Sequence, residues 1–185
     1  MRPSSGGRSP ERMASTESFD TDFGAVIRLL VDANVDFILI GGLSAAGHGL
    51  IHTTRDVDVV YSRSKENIAR LVDALAGVSP YLRGAPPGLP FRFDEKTVAM
   101  GLNFTLRTTI GSVDLLGEVA GGGRYEELLP HAIEASGYDR TFQMVSLDKL
   151  IDLKRAAGRP KDFEMIAQLE ALRQEKRKLE GEHSV

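Results

Sequence analysis

Apolar residues along this chain follow two patterns, a helical spacing of three and four and short continuous or alternating runs, and their order sets the expected fold. Phe23, Val26, Ile27, Leu30 and Val31 share one helix face, with Asp20 or Thr21 placed to cap its free amides. Phe37, Ile38, Leu39 and Ile40 read as a buried strand stopped by a tight turn at Gly41-Gly42, followed by one or two helical turns over residues 43–48. The β-branched segment from Asp56 to Tyr61 reads as a second strand. Ser64 caps the next helix, whose core face is Ile68, Leu71, Val72 and Leu75.

Beyond a Pro- and Gly-dense loop at residues 84–90, residues 103–108 alternate as a half-buried strand. Ile110-Gly111-Ser112 then turns the chain into a strand over residues 113–116. Three glycines at 121–123 link to a short helix at 125–129. Ser146 caps a helix carrying Leu147, Leu150, Ile151 and Leu153, ended by Gly158, and Pro160 opens the last helix. That helix is expected to bury Phe163, Ile166, Leu169 and Leu172. The expected class is α/β, a small mixed β-sheet flanked by helices with a helical C-terminal segment.

Composition divides this pattern into parts. Residues 1–18, rich in Ser, Gly, Pro and Arg, have almost nothing to bury and are expected to form a disordered tail. Residues 19–172 form the domain, and the charged stretch at 173–185 is expected to fray in solvent. A chain of 185 residues, 42% of them hydrophobic, suffices for one core.

Charge and cysteine usage narrow the chemistry. With 23 basic and 26 acidic residues the net charge is −3, so no bulk field draws the chain to nucleic acid or anionic lipid, and phosphate must be held locally. The absence of cysteine excludes disulfides, thiolate metal sites and a cysteine nucleophile. No apolar run is long enough for a membrane span or a secretory signal, so a cytoplasmic protein is expected.

Against that background the acids of the second strand stand out. Residues two apart in a strand share a face, so Asp56 and Asp58 project together while Val57 and Val59 face the other way. Adjacent carboxylates repel unless a cation sits between them, and as hard oxygen ligands they suit magnesium, which binds nucleotide phosphates in turn. Gly41 and Gly42, just upstream, let backbone amides approach a phosphate, and Ser44 can add a hydroxyl or cap the short helix. Asp114, in the apolar context Ser112-Val113-Asp114-Leu115-Leu116, is costly in a strand unless paired or ligated.

Gly41-Gly42, thirteen intervening residues, Asp56-Val57-Asp58 and a later Asp114 together resemble the signature of DNA polymerase β superfamily nucleotidyltransferases. Residues 146–151 and 154–162 are similar to the tail of AbiEii-like nucleotidyltransferases of toxin–antitoxin systems. The resemblance implies a nucleotidyltransferase fold, Mg²⁺ or Mn²⁺ on Asp56, Asp58 and Asp114, and an NTP as substrate. It further implies that Asp114 activates the acceptor hydroxyl, that Lys154 contacts nucleotide phosphates with Asp162 orienting it, and that Thr54, Arg55 and Arg155 belong to the nucleotide site. Where relatives carry Arg four residues before the first aspartate of the pair, this chain has His52. The acceptor implied is tRNA, with a cognate antitoxin as protein partner.

Other readings compete. An isolated Asp-x-Asp is commonly a solvated strand end, and it is the glycines and Asp114 together that favour chemistry. The spacing around Gly41 does not make a dinucleotide-binding turn, and His48, His52 and His131 show no zinc-ligand pairing. An aminoglycoside or lincosamide nucleotidyltransferase, and a degenerate module that binds nucleotide or a partner without turnover, remain as alternatives to a toxin acting on tRNA.

Overall fold

Alternating and continuous apolar runs fold into a seven-stranded mixed sheet in a computed structural model that describes residues 20–86 and 88–182. The tail expected over residues 1–18 lies outside the described residues. The elements are α1 (Phe23–Asp32), β1 (Phe37–Ile40), α2 (Gly41–Gly47), β2 (Asp56–Tyr61), α3 (Lys65–Ala76), β3 (Tyr81–Leu82), α4 (Glu95–Met100), β4 (Asn103–Thr108) and β5 (Gly111–Leu116). They continue with α5 (Tyr125–Leu128), β6 (Ala132–Gly137), β7 (Arg140–Val145), α6 (Leu147–Ala157) and α7 (Phe163–Glu182).

The strands lie in the order β3-β4-β5-β2-β1-β7-β6. β2 runs antiparallel to β1 and parallel to β5, and β1 runs parallel to β7. Sequence pattern anticipates β1, β2, β4 and β5, the four strands that build the centre and one flank. It misses the β6–β7 hairpin, which turns at Tyr138 and Asp139 with φ of 55° and 60°. Two consecutive positive φ values define a hairpin turn for which Asn-Gly is the usual signal, and no glycine sits at either position to announce it.

Local expectations are refined at several helix ends. The cap of α1 is Asp22 rather than Asp20 or Thr21, its carboxylate accepting the Ala25 amide at 2.8 Å. Thr21 instead donates its hydroxyl to the Arg55 carbonyl at 2.5 Å and accepts the Ser112 amide at 3.0 Å, tying the approach to β2 onto β5. The two glycines after β1 open α2 directly instead of forming a turn ahead of it. At the other end α7 runs on to Glu182, so the charged stretch expected to fray is helical as far as the described residues reach, with Arg173 and Arg177 both donating to Asp148 at 3.1 and 3.2 Å. Phe163, expected in the core, is exposed, and Met165 is buried in its neighbourhood.

Helices cover the two sheet faces unequally. On one face Val26, Ile27 and Leu30 of α1 and Leu71 and Leu75 of α3 pack on Val57, Val59, Leu106, Val113 and Leu115. On the other, Leu150 and Ile151 of α6 and Leu169 of α7 cover Ile38, Ile40, Val60 and Val145, the β2–β1–β7 part of the sheet. The outer part of that second face is open: β4 alternates, with Phe104, Leu106 and Thr108 buried and Asn103, Thr105 and Arg107 exposed. No helix among the described residues is long and apolar enough to cross a membrane.

Candidate active site

Parallel pairing puts Asp56 opposite Ser112 and Asp58 opposite Asp114, so the three acids emerge on one face where helix cover gives way to open sheet. One carboxylate oxygen from each of Asp56, Asp58 and Asp114 lies within 4.8 Å of the others, the single such group of potential metal ligands among the described residues. Three hard oxygen donors at that separation fit Mg²⁺ or Mn²⁺, which complete their shells with water or phosphate.

Repulsion within the cluster is concentrated on its middle member. Burial, then the charges of Asp56 and Asp114, push the Asp58 carboxyl up to about 7, against the pull of Lys154 and Arg159. Burial also raises Asp114, although the Arg83 guanidinium beside it works in the opposite direction. A site that resists losing its protons is one in which a divalent cation relieves a cost already present.

The glycines before α2 serve this cluster sterically. Gly41 has φ +70°, and a Cβ there would lie 2.0 Å from Asp58 Oδ2. A Cβ on Gly42 would meet Thr54 Cβ and Oγ1 at 2.7 Å. The pair therefore lets Asp58 and Thr54 close on the start of α2. Thr54 in turn donates its hydroxyl to Asp56 Oδ1 at 3.3 Å, holding the loop that carries Arg55 beside the acids.

Basic side chains arrive from two directions. Gly158, left-handed at φ 60°, ends α6 and sends the chain back through a 3₁₀ turn at Pro160–Asp162. This brings Arg159, Lys161 and Asp162 over the cleft beside Lys154, whose ammonium donates to Asp162 Oδ1 at 2.9 Å in a pair that is nearly buried. From the opposite edge comes Arg83, just beyond β3, whose Nη2 donates to Asp114 Oδ1 and Oδ2 at 2.9 and 3.0 Å. Its Nη1 donates to Asp56 Oδ2 at 3.4 Å.

Gly42, His52, Thr54, Arg55, Lys154 and the three acids thus share one cleft of about 400 Å³. Three expected site residues do not: Gly41 lines the adjoining cavity, and Ser44 and Arg155 lie elsewhere. Ser44 is fully buried inside α2 and its hydroxyl has no hydrogen-bond partner, so it does not open onto the cleft. Arg155, one position past Lys154 on α6, points to α7 and pairs with Glu170. Conversely, Arg83 was invisible in sequence, being next to a two-residue strand with no periodicity. Arg159 and Lys161 were legible only as members of a basic run at a helix end.

A second cavity of about 330 Å³ adjoins the first and shares Asp58, Lys154, Arg159 and Asp162 with it. Leu116, Val119, Leu150 and Leu153 form its apolar walls, and Asn103 and Glu118 join the shared charged residues in its polar ones. The pair of cavities meeting at Asp58 offers one charged compartment and one of mixed polar and apolar walls.

This mixed α/β sheet, helix-flanked with acids on adjacent parallel strands and a C-terminal helical closure, is a nucleotidyltransferase fold. Among solved structures it is similar to the lincosamide antibiotic adenylyltransferase LnuA in its lincomycin-bound form, at a TM-score of 0.55 and 14% identity over 83% of this chain and 98% of that one. It is also similar to the antibiotic-resistance factor ANT(2'')-Ia, at a TM-score of 0.47 and 14% identity over 87% of this chain and 96% of that one. No family model matches the sequence, and no curated protein is similar to it in sequence.

Proposed function

We propose that the protein is a metal-dependent nucleotidyltransferase that moves a nucleoside monophosphate from an NTP to a hydroxyl acceptor. The observation that carries the reading is the convergence of Asp56, Asp58 and Asp114 within 4.8 Å in a cleft otherwise rimmed by basic side chains. Asp56, Asp58 and Asp114 would hold a magnesium ion, which would supply charge neutralisation at the transferred phosphate and Lewis acidity toward the attacking hydroxyl. Arg55, Lys154 and Arg159 hold the triphosphate, and Asp162 fixes Lys154 in position through its 2.9 Å ion pair. Asp114 accepts the proton of the attacking hydroxyl, and pyrophosphate leaves. With little covalent work for side chains, positioning and charge supply the catalysis.

The acceptor in the first reading is the end of a tRNA, as for the toxins that the tail resembles, with an antitoxin to restrain the activity. Supporting it are an open sheet face beside the acids and the basic rim of Arg55, Arg159 and Lys161, which suit a polyanion. A second reading takes a small hydroxylated antibiotic as acceptor. It draws on the likeness to an adenylyltransferase of lincosamides and on the cavity next to Asp58, whose mixed apolar and polar walls suit a small hydroxylated molecule.

One assay separates them. The purified chain is incubated with each α-labelled NTP and Mg²⁺, and either total tRNA or a panel of lincosamides and aminoglycosides. Label entering tRNA supports the first reading, and label entering a drug the second. In either arm Asp56→Asn and Asp58→Asn are expected to fall below detection. No transfer in any arm, despite metal-dependent NTP binding, would leave a binding module and overturn the proposal.

A further inference from the structure

Three carboxylates gathered on adjacent strands need a counter-charge even before any nucleotide arrives, and the chain supplies one. The Arg83 amide donates to the Thr105 carbonyl at 2.9 Å, fixing the residue's backbone against β4, and Gly84 at φ +81° turns the chain away immediately afterwards. From that anchor the side chain reaches across β4 to both acid-bearing strands. Nη2 straddles the two oxygens of Asp114 at 2.9 and 3.0 Å while Nη1 lies 3.4 Å from Asp56 Oδ2. Among the described residues no other basic side chain forms an ion pair with any of the three acids: Lys154 is committed to Asp162, and Arg155 to Glu170.

We propose that Arg83 is the resident cation of this cluster, balancing Asp114 and Asp56 when no metal is present and competing with a divalent metal for the same oxygens. The inference rests on the metal-binding role assigned above to the acids. Its physical basis is that a guanidinium nitrogen set between both oxygens of a carboxylate uses the lone pairs that a metal ion would take. Arg83 also reduces the net negative charge that attracts a cation. It is thus a residue that tunes metal loading, and it keeps β2 and β5 together while the site lacks an ion.

Mn²⁺ binding to the full chain, without nucleotide, provides the test, followed through the electron paramagnetic resonance signal of free Mn²⁺ in wild type, Arg83→Gln, Arg83→Lys and Asp58→Asn. Arg83→Gln is expected to bind Mn²⁺ about tenfold more tightly, equivalent to about 1.4 kcal/mol, with Arg83→Lys in between. In thermal unfolding with EDTA, Arg83→Gln is expected to melt below wild type, and the difference to narrow when Mn²⁺ is added. Affinity unchanged or weakened in Arg83→Gln, with binding still lost in Asp58→Asn, overturns the role of Arg83 and leaves the metal site standing. Absence of Mn²⁺ binding in wild type, or undiminished binding in Asp58→Asn, overturns the metal reading and this inference with it.

Discussion

The two faces of the β2–β5 pair are built from the same two strands and make opposite demands. On one, Val57, Val59, Val113 and Leu115 are each completely buried under α1 and α3. On the other, one residue away at each step, Asp56, Asp58 and Asp114 converge, and burial together with its two neighbours raises the cost of ionising Asp58. The contrast teaches where the fold takes its stability and where it carries a local penalty: the sealed face holds the strands in register, and that register forces like charges together on the open one. Functional strain of this kind persists only when the surrounding packing over-determines it.

The largest effect should come from violating the sealed face. Val113→Asp places a carboxylate among aliphatic side chains with no partner, a cost of several kcal/mol against a total stability of about 5–15 kcal/mol. The variant is expected to lose its cooperative urea transition, as followed by circular dichroism. A variant that still unfolds cooperatively near the wild-type midpoint would show that the two faces are less different than their burial indicates. The mirror substitution, Asp58→Asn on the open face, is expected to abolish transfer while leaving metal-free stability at pH 8 equal to or above that of wild type.

pH sharpens the same contrast without altering the sealed face. Because the Asp58 carboxyl is raised to about 7 in the fold from an ordinary value of 3.8, the folded state keeps a proton that the unfolded chain has lost. Stability without metal therefore falls as pH rises from about 4 to about 7, by at most about 1.4 kcal/mol per unit for this group, and levels off above. His48, lowered chiefly by burial, works in the other direction, since the unfolded chain gains a proton below its ordinary value of 6.5. The difference between wild type and Asp58→Asn across this range isolates the carboxylate from the histidine. Equal pH slopes for the two proteins in EDTA would remove Asp58 as the strained group, and Mn²⁺ is expected to flatten the wild-type slope.

How much of this was legible in sequence follows from the range over which each signal acts. Asp56 and Asp58 declare their shared face through the two-residue period of a strand, and Val113 and Leu115 declare the apolar side of β5 in the same way. The approach of Asp114 to Asp58 required a strand pairing across more than fifty residues, which the cost of an unpaired acid in an apolar strand hinted at and the resemblance to a known family reinforced. Arg83 left no signal, because a guanidinium reaching across β4 depends on a two-residue edge strand. Ser44 misled because the same residue type caps helices, binds phosphate and sits buried in packed helices, and local spacing does not choose among them. The β6–β7 hairpin went unseen because Tyr138 and Asp139 adopt positive φ without glycine.

The smallest predicted effect tests how finely the fold divides its charges. Lys154 and Arg155 are consecutive on α6, both basic, and the resemblance gives the phosphate contact to Lys154 while placing both in the nucleotide site. Successive positions on a helix point about 100° apart, so one faces the acids and the other faces α7. Lys154 pairs with Asp162 over the cleft in a nearly buried contact, whereas Arg155 reaches Glu170 at the surface with about half of its side chain exposed. An exposed pair of that kind contributes about 0–1 kcal/mol and is screened by salt. Arg155→Ala is therefore expected to keep NTP affinity within about twofold of wild type and to shift the urea midpoint only slightly. Lys154→Ala should weaken NTP binding severalfold or more and also strand Asp162 without a partner. Isothermal titration with a non-hydrolysable NTP and Mg²⁺ measures both. Equal losses of affinity in the two variants would mean that the charge of the α6 end as a whole, and not the orientation of one lysine, is what the nucleotide reads.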